Sequence, residues 1–319
     1  MAGTVVAATV LGLFLPTFLA DPYLVTVLVR GLTLGLAGLA VGLLNQQLGL
    51  VSFGIGAFFG LSCYAFSILT TRFGWGPTAA AAVALLGVIA LAALLGAVVV
   101  RVKALSFVMV TLAIAQAFFV AAGLAGLKDL TGGDDGLLVE FSGELAGLRQ
   151  SDLLDPESAW PLVWTVVVVV VALTAVMVRS RFGTRLRAIK QNEERMRYSG
   201  FDPYRDKILV FVVSAAIAAV AGVLQALTQG LASPDILGFH LSGNALVAAL
   251  IGGSATVIGP MVGGVVFAFG QSALSDSGNL QFFVGLSLVV VVVILPGGAV
   301  PATIRWTRSA ARRVKDRLL

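Results

Sequence analysis

Apolar residues run in long blocks along this chain, and polar ones gather in a few places between them. A helix rises about 1.5 Å per residue, so about 20 apolar residues are needed to cross a bilayer. On that measure spans are predicted near 4–20, 23–44, 50–71, 78–100, 104–127, 160–178, 208–229, 242–258, 260–275 and 281–296. The eighth and ninth share Gly252, Gly253, Gly259 and Pro260. They read either as two short spans or as one broken, re-entrant element. The first is expected to be a retained helix: Phe18-Leu19-Ala20 before Asp21 resembles a cleavage site, but no Lys or Arg precedes Arg30. The fold class expected is all-α, a polytopic transmembrane helix bundle of about ten spans.

Composition strengthens this reading. Residues are 58% hydrophobic and 12% charged, against about a quarter charged in soluble domains. With a mean hydropathy of +1.00, the chain lacks the polar residues for a water-facing coat, so lipid must solvate much of its surface.

The charges are sorted by loop. Arg101 and Lys103 sit in one short turn, residues 179–207 carry nine basic residues against four acids, and 297–319 carry six against one. The 128–159 loop carries two basic residues and eight acids. With ten spans and both termini cytoplasmic, all three basic segments fall inside and the acidic loop outside, as the positive-inside bias requires. Topology thus accounts for the net charge of +5 better than a nucleic-acid partner does. The expected organisation is a permease domain over 1–296, with an external acidic loop at 128–159 and a cytoplasmic loop at 179–207, then a basic cytoplasmic tail at 297–319.

Candidate chemistry inside the spans is sparse. No Asp, Glu, Lys or His is expected near the midpoint of a span, which argues against a titratable relay and against intramembrane catalysis. Cys63 and His240 are the only residues of their types, too few for a zinc site. No Lys follows a Gly, so there is no GxxxxGK[ST] phosphate loop. No catalytic residue, metal or cofactor is assigned. Of the polar groups in or near spans, Ser52 and Gln116 are the first candidates for a translocation path, ahead of Ser106, Thr111, Ser214 and Gln225. Gly31, Gly35, Gly38 and Gly42 share one helix face, which suits close helix packing in lipid or a substrate-facing stripe.

Two loops stand out. Residues 185–197 contain no Pro or Gly and are expected to form one helix, stopped by Gly200 and Pro203. Ala188, Ile189 and Met196 give it a narrow apolar strip, suited to a cytoplasmic partner or to anionic lipid. In the acidic loop, Thr131-Gly132-Gly133-Asp134-Asp135-Gly136-Leu137 implies a tight turn, either a solvated external turn or a contact for an extracytoplasmic partner.

Four stretches carry a family resemblance: SFGIGAFFGLSCY at 52–64; VKALSFVMVTLAIAQAFF at 102–119 with TGGDDGL at 131–137; FGTRLRAIKQNEERMRYSGFDPYRDKILVFVVSA at 182–215; and LASPDILGF at 231–239 through LIGGSATVIGPMVGG at 250–264. In this order they resemble the LivM-type membrane subunit of branched-chain amino-acid ABC importers. The usual His of the first motif is Ile55 here, and Gly243 and Asn244 stand where an acid is usual in the eighth span.

The resemblance implies a second homologous permease subunit, two cytoplasmic ATPases that bind the ATP, and an extracytoplasmic solute-binding protein. A helix over 182–200 would couple to one ATPase, with Gly183, Arg187, Ala188, Asn192, Glu193 and Gly200 matching the family's loop. Asp134 and Asp135 would meet the binding protein. The location implied is a bacterial or archaeal inner membrane. The solute would be a branched-chain or other hydrophobic amino acid; urea, short amides and simple sugars are alternatives, as is a self-sufficient secondary transporter.

Overall fold

The structure is a computed structural model that describes residues 21–145 and 147–274, with Gly12 and Pro16. Apart from those two positions, the expected spans at 4–20 and 281–296, the cleavage question and the tail at 297–319 lie outside the described residues. The helices are α1 (Pro22–Leu48), α2 (Ile55–Thr71), α3 (Pro77–Val99), α4 (Ala104–Ala122), α5 (Gln150–Leu154), α6 (Pro156–Arg179), α7 (Arg181–Gln191), α8 (Glu193–Tyr198), α9 (Pro203–Gln229), α10 (Phe239–Gly252) and α11 (Gly259–Leu274), with single turns of helix between α4 and α5 and before α10. Five of them, α1, α3, α4, α6 and α9, are long and apolar enough to cross a membrane. The chain is an all-α, multi-pass membrane protein.

Helix starts follow local chemistry. Asp21, Asp155 and Asp202 each precede a Pro, and each carboxylate accepts a backbone N–H of the first turn. Pro lacks the N–H that would otherwise be orphaned there, and the Asp satisfies another.

Burial separates the helices into two groups. The most apolar stretches of α1 and α9 are 72% and 61% buried, whereas those of α3, α4 and α6 are 28%, 17% and 22% buried. The first pair therefore forms the centre, and the other three present broad faces outward. The glycine stripe of α1 explains the centre. A Cβ at Gly31 would sit 2.7 Å from Val265 Cα, at Gly35 3.0 Å from Met261 Cα, and at Gly38 3.1 Å from the Ala245 carbonyl. Backbones of α10 and α11 lie directly on α1, the close approach that only small residues permit in lipid.

An inverted internal repeat organises the bundle. α1 and α9 both open on Asp-Pro-Tyr, run 27 residues, and end on a left-handed glycine, Gly49 (φ 70°) and Gly230 (φ 66°). A Leu follows each glycine, and a Ser comes two residues later, at Ser52 and Ser233, with no gap in register. A short apolar helix comes next in each half, α2 or α10. A Gly-Pro pair then lies at the start of the following helix, at Gly76-Pro77 for α3 and Gly259-Pro260 for α11. α1 and α9 lie antiparallel. Arg30 Nε donates to Gln229 Oε1 at one end (3.0 Å), and Ser214 Oγ donates to the Ala40 carbonyl midway (2.7 Å).

Two expectations are corrected. The span expected from residue 50 starts its helix only at Ile55, because Ser52 Oγ accepts from Gly54 N–H and Phe53 N–H donates to Thr111 Oγ1. Those bonds replace helical ones and hold 50–54 non-helical. The 185–197 helix is two helices, because Asn192 leaves the helical region (φ −160°, ψ 103°) and its side chain accepts from Arg195 N–H. An Asn followed by two Glu is a better N-cap than a helix interior. Around Gly252–Pro260, where two short spans and one re-entrant element were both open, the chain forms two antiparallel helices of 14 and 16 residues, about 21 and 24 Å long, a hairpin common to both readings.

Candidate translocation site and coupling loop

The two repeats meet where their chains break. At this point α2 begins beside α10: Gly56 N–H donates to Ser242 Oγ (2.9 Å), and Ser242 Oγ donates to the Phe53 carbonyl (2.7 Å). One buried hydroxyl thus satisfies an orphan donor at the start of α2 and a free carbonyl of the break. The Phe53 and Phe239 rings stack with centroids 5.3 Å apart. Thr111, which holds Phe53, lies seven residues into α4, about 10 Å from that helix's start. Ser242 lies ten residues from the end of α10, about 15 Å. The break is therefore deep in the bundle. Non-helical backbone at such depth persists only where protein buries it or where it lines a cavity.

Of the two path candidates, Ser52 is buried and caps the break from behind, whereas Gln116 is exposed on α4. The structure does not bring their side chains together. His240, expected outside the spans, is the second residue of α10 and stands beside this break, exposed on the outer surface of the chain, so one titratable side chain does lie at the level of the break.

On the acidic face, Thr131 Oγ1 donates to the Ala122 carbonyl (2.8 Å) and accepts from Gly133 N–H (3.2 Å). Gly132, Gly133 and Gly136 all have positive φ, which glycine alone adopts cheaply. This turn exposes Asp134 and Asp135. It leads into β1 (Leu137–Leu138), which pairs antiparallel with β2 (Leu231–Ala232) in the linker to α10. The acidic turn is thereby strapped to the chain that opens α10.

On the basic face, the six expected coupling residues build an elbow. A Cβ at Gly183 would collide with the Val178 carbonyl, so glycine lets α7 fold back on α6. Arg187 donates to that same carbonyl (3.2 Å). Ala188 is half-buried beside Leu186 and Ile189, which are buried, so the apolar strip faces the bundle. Asn192 caps α8. Glu193 pairs with Arg197 (3.1 Å) and with Lys207 of α9, while Arg185 pairs with the buried Asp206 (3.4 Å). Gly200 (φ 82°) ends the elbow.

Two further features had not been singled out in the sequence. Lys190 Nζ donates to the carbonyls of Asn45 (2.8 Å) and Gln46 (3.3 Å), at the C-terminal end of α1. Tyr198 is 92% exposed at the tip. The charge of Lys190 and the Asn-Glu-Glu cap were visible; the partner of Lys190, nearly 150 residues away, was not.

A multi-pass bundle with inverted halves, a deep break and a rigid basic elbow is the architecture of a membrane transport subunit. A family profile described as the permease component of branched-chain amino acid transport systems matches residues 23–295, and the chain belongs to that family of transport permeases. It is of the LivM type. The high-affinity branched-chain amino acid transport system permease protein LivM of Escherichia coli (strain K12) is 25% identical over 287 residues, covering 83% of this chain and 67% of that protein. The corresponding LivH of the same organism is 31% identical over 141 residues, 43% of this chain and 46% of its own length. The xylose transport system permease protein XylH is 30% identical over 140 residues, 42% and 33%. No solved structure matches this chain.

Proposed function

We propose that the chain is the membrane subunit of an ATP-driven importer in a bacterial inner membrane. It crosses the membrane ten times with both termini cytoplasmic, and it supplies half of the translocation path. The permease domain covers 1–296, and the 297–319 tail is cytoplasmic. A second homologous permease completes the path, with Gln116 facing it and Ser52 supporting the break behind. Two cytoplasmic ATPases hold the ATP, and this chain holds no cofactor and performs no catalysis. A solute-binding protein docks near Asp134 and Asp135. The solute is a branched-chain or other hydrophobic amino acid.

The observation that carries this reading is the elbow. Its apolar side is spent on the bundle, its ion pairs lock it to α9, and its exposed tip offers Tyr198 and the half-exposed Phe201 to a partner. A loop braced in this way passes force to the spans; a loose one would absorb it. A sugar is the second reading, favoured by the match to XylH.

Reconstitution tests both. ATP-dependent uptake is expected only when this chain is combined with a second permease, ATPases and a loaded binding protein, and scrambling 185–197 is expected to abolish it. Uptake by this chain alone would overturn the reading. Competition among leucine, urea and ribose decides the solute.

A further inference from the structure

We propose that His240, with Asn244 and Gln116, contacts the polar head of the solute deep in the membrane, on the face formed by α4 and the start of α10. The inference rests on the importer reading and names the contacts within it.

Depth is the first observation. His240 lies twelve residues from the end of α10, about 18 Å. Its neighbours fix its level. A Cβ added at Gly238 would sit 3.5 Å from the Phe119 ring, and Ser242 is bonded to Phe53, which Thr111 holds. Gln116 lies between Thr111 and Phe119 on α4, as His240 lies between Gly238 and Ser242 on α10. Gln116 and His240 are therefore at one level, and Asn244 follows four residues on, about 6 Å along α10.

Their environment is the second. His240 and Gln116 are exposed and Asn244, one turn on from His240, is half-buried. Among the described residues, none of the three side chains makes a hydrogen bond; His240 has only an edge contact with the Phe239 ring, at 6.4 Å. Polar groups facing hydrocarbon without partners are costly. Gln116 and His240 at one level with Asn244 a turn away, beside exposed apolar residues of α4 such as Leu105, Met109 and Val120, mark a place that is wet or solute-filled.

The inverted repeat is the third. Discontinuous helices at matching positions of two inverted halves place a transporter's site at their junction, and His240 stands at the second of these breaks. An imidazole and two carboxamides supply both donors and acceptors. That set suits the ammonium and carboxylate of a zwitterionic amino acid.

Cys63 is the only cysteine and is fully buried, so the native chain is a clean background for accessibility labelling. His240→Cys, Asn244→Cys and Gln116→Cys would be assembled with the second permease, ATPases and a leucine-loaded binding protein. Leu94→Cys, on the outward face of α3, is the lipid-facing control. A cationic, membrane-impermeant methanethiosulfonate should label the three at least about tenfold faster than the control, since it reacts only where water reaches. Leucine turnover should slow the labelling, and His240→Ala should raise the leucine KM, with His240→Asn restoring part of it.

Labelling of His240→Cys no faster than Leu94→Cys, or labelling indifferent to leucine, would overturn the proposal. So would an unchanged KM in His240→Ala, which serves if the cysteine variants do not assemble. A wild-type assembly without ATP-driven uptake would refute the importer reading itself; normal wild-type uptake with an unreactive His240→Cys would refute this proposal alone.

Discussion

Lys190→Met isolates one joint between the basic elbow and the bundle. The substitution keeps an unbranched stem of similar length over Gly49, where a Cβ would sit 3.2 Å from Lys190 Cε, and removes only the ammonium. Lost with it are the 2.8 Å and 3.3 Å bonds to the Asn45 and Gln46 carbonyls. A cation at a helix C-terminus contributes about 0.3–1 kcal/mol when exposed, and a charged hydrogen bond somewhat more. Because Lys190 is exposed, solvent screening holds the sum near about 1 kcal/mol. That is too little to unfold a bundle, but about a fivefold change in an equilibrium that depends on it. Solute transported per ATP hydrolysed, measured in proteoliposomes, should fall by about that factor while ATPase activity persists, and Lys190→Arg should restore it. An unchanged ratio in Lys190→Met would show that the elbow does not act through α1.

Three further outcomes are expected. Gly38→Ile places a side chain where even a Cβ would lie 3.1 Å from the Ala245 carbonyl; it should cost about 1–3 kcal/mol, read as a drop in detergent melting temperature, while Gly76→Ala, which meets nothing within 4 Å, should leave it unchanged. Asn192→Ala removes the α8 cap, worth about 1 kcal/mol, and hydrogen exchange should quicken at Arg195 and Met196 but not in α7. Gly136→Val forces a β-branched residue to φ 76° with its Cβ 2.5 Å from the Ala232 carbonyl; uptake from the binding protein should fall several-fold, with basal ATPase activity retained.

The sequence was legible where chemistry is local and illegible where partners are distant. Starts at Pro77, Pro156 and Pro203 announce themselves through Gly-Pro or Asp-Pro pairs, and the ends at Gly49 and Gly230 through their glycines. The break at 50–54 was hidden because Leu50, Val51, Phe53 and Ile55 continue the apolar run. Hydropathy does not distinguish helical from extended backbone, and the bonds that decide it come from Thr111 and Ser242. The split at Asn192 was readable from Asn-Glu-Glu but was outweighed by the absence of Pro and Gly. The repeat was also readable: Asp-Pro-Tyr, a left-handed glycine and Gly-Leu-x-Ser recur in one register. Without it, His240 fell just ahead of the span expected from 242, whereas its place at the second break sets it at the level of that break, on an exposed face of the chain.

The contacts at the two ends of α10 explain how distant faces can act on one element. At the acidic face, β1 pairs with β2 in the linker that opens α10. At the basic face, Lys190 grips the end of α1, and the neighbouring side chains there hold the loop that closes α10: Asn45 donates to Ser254 Oγ (3.2 Å) and Gln46 to the Ala255 carbonyl (2.6 Å). Between these ties α10 packs on glycine, against Gly38 and Gly42 of α1 on one side and Gly259 and Gly263 of α11 on the other. Small-residue interfaces have no interdigitated side chains to unpack, so shear along them is cheaper than along a leucine seam. A displacement of the elbow or of the acidic turn is therefore delivered to the same short helix, and through Ser242 to the break where the two repeats meet.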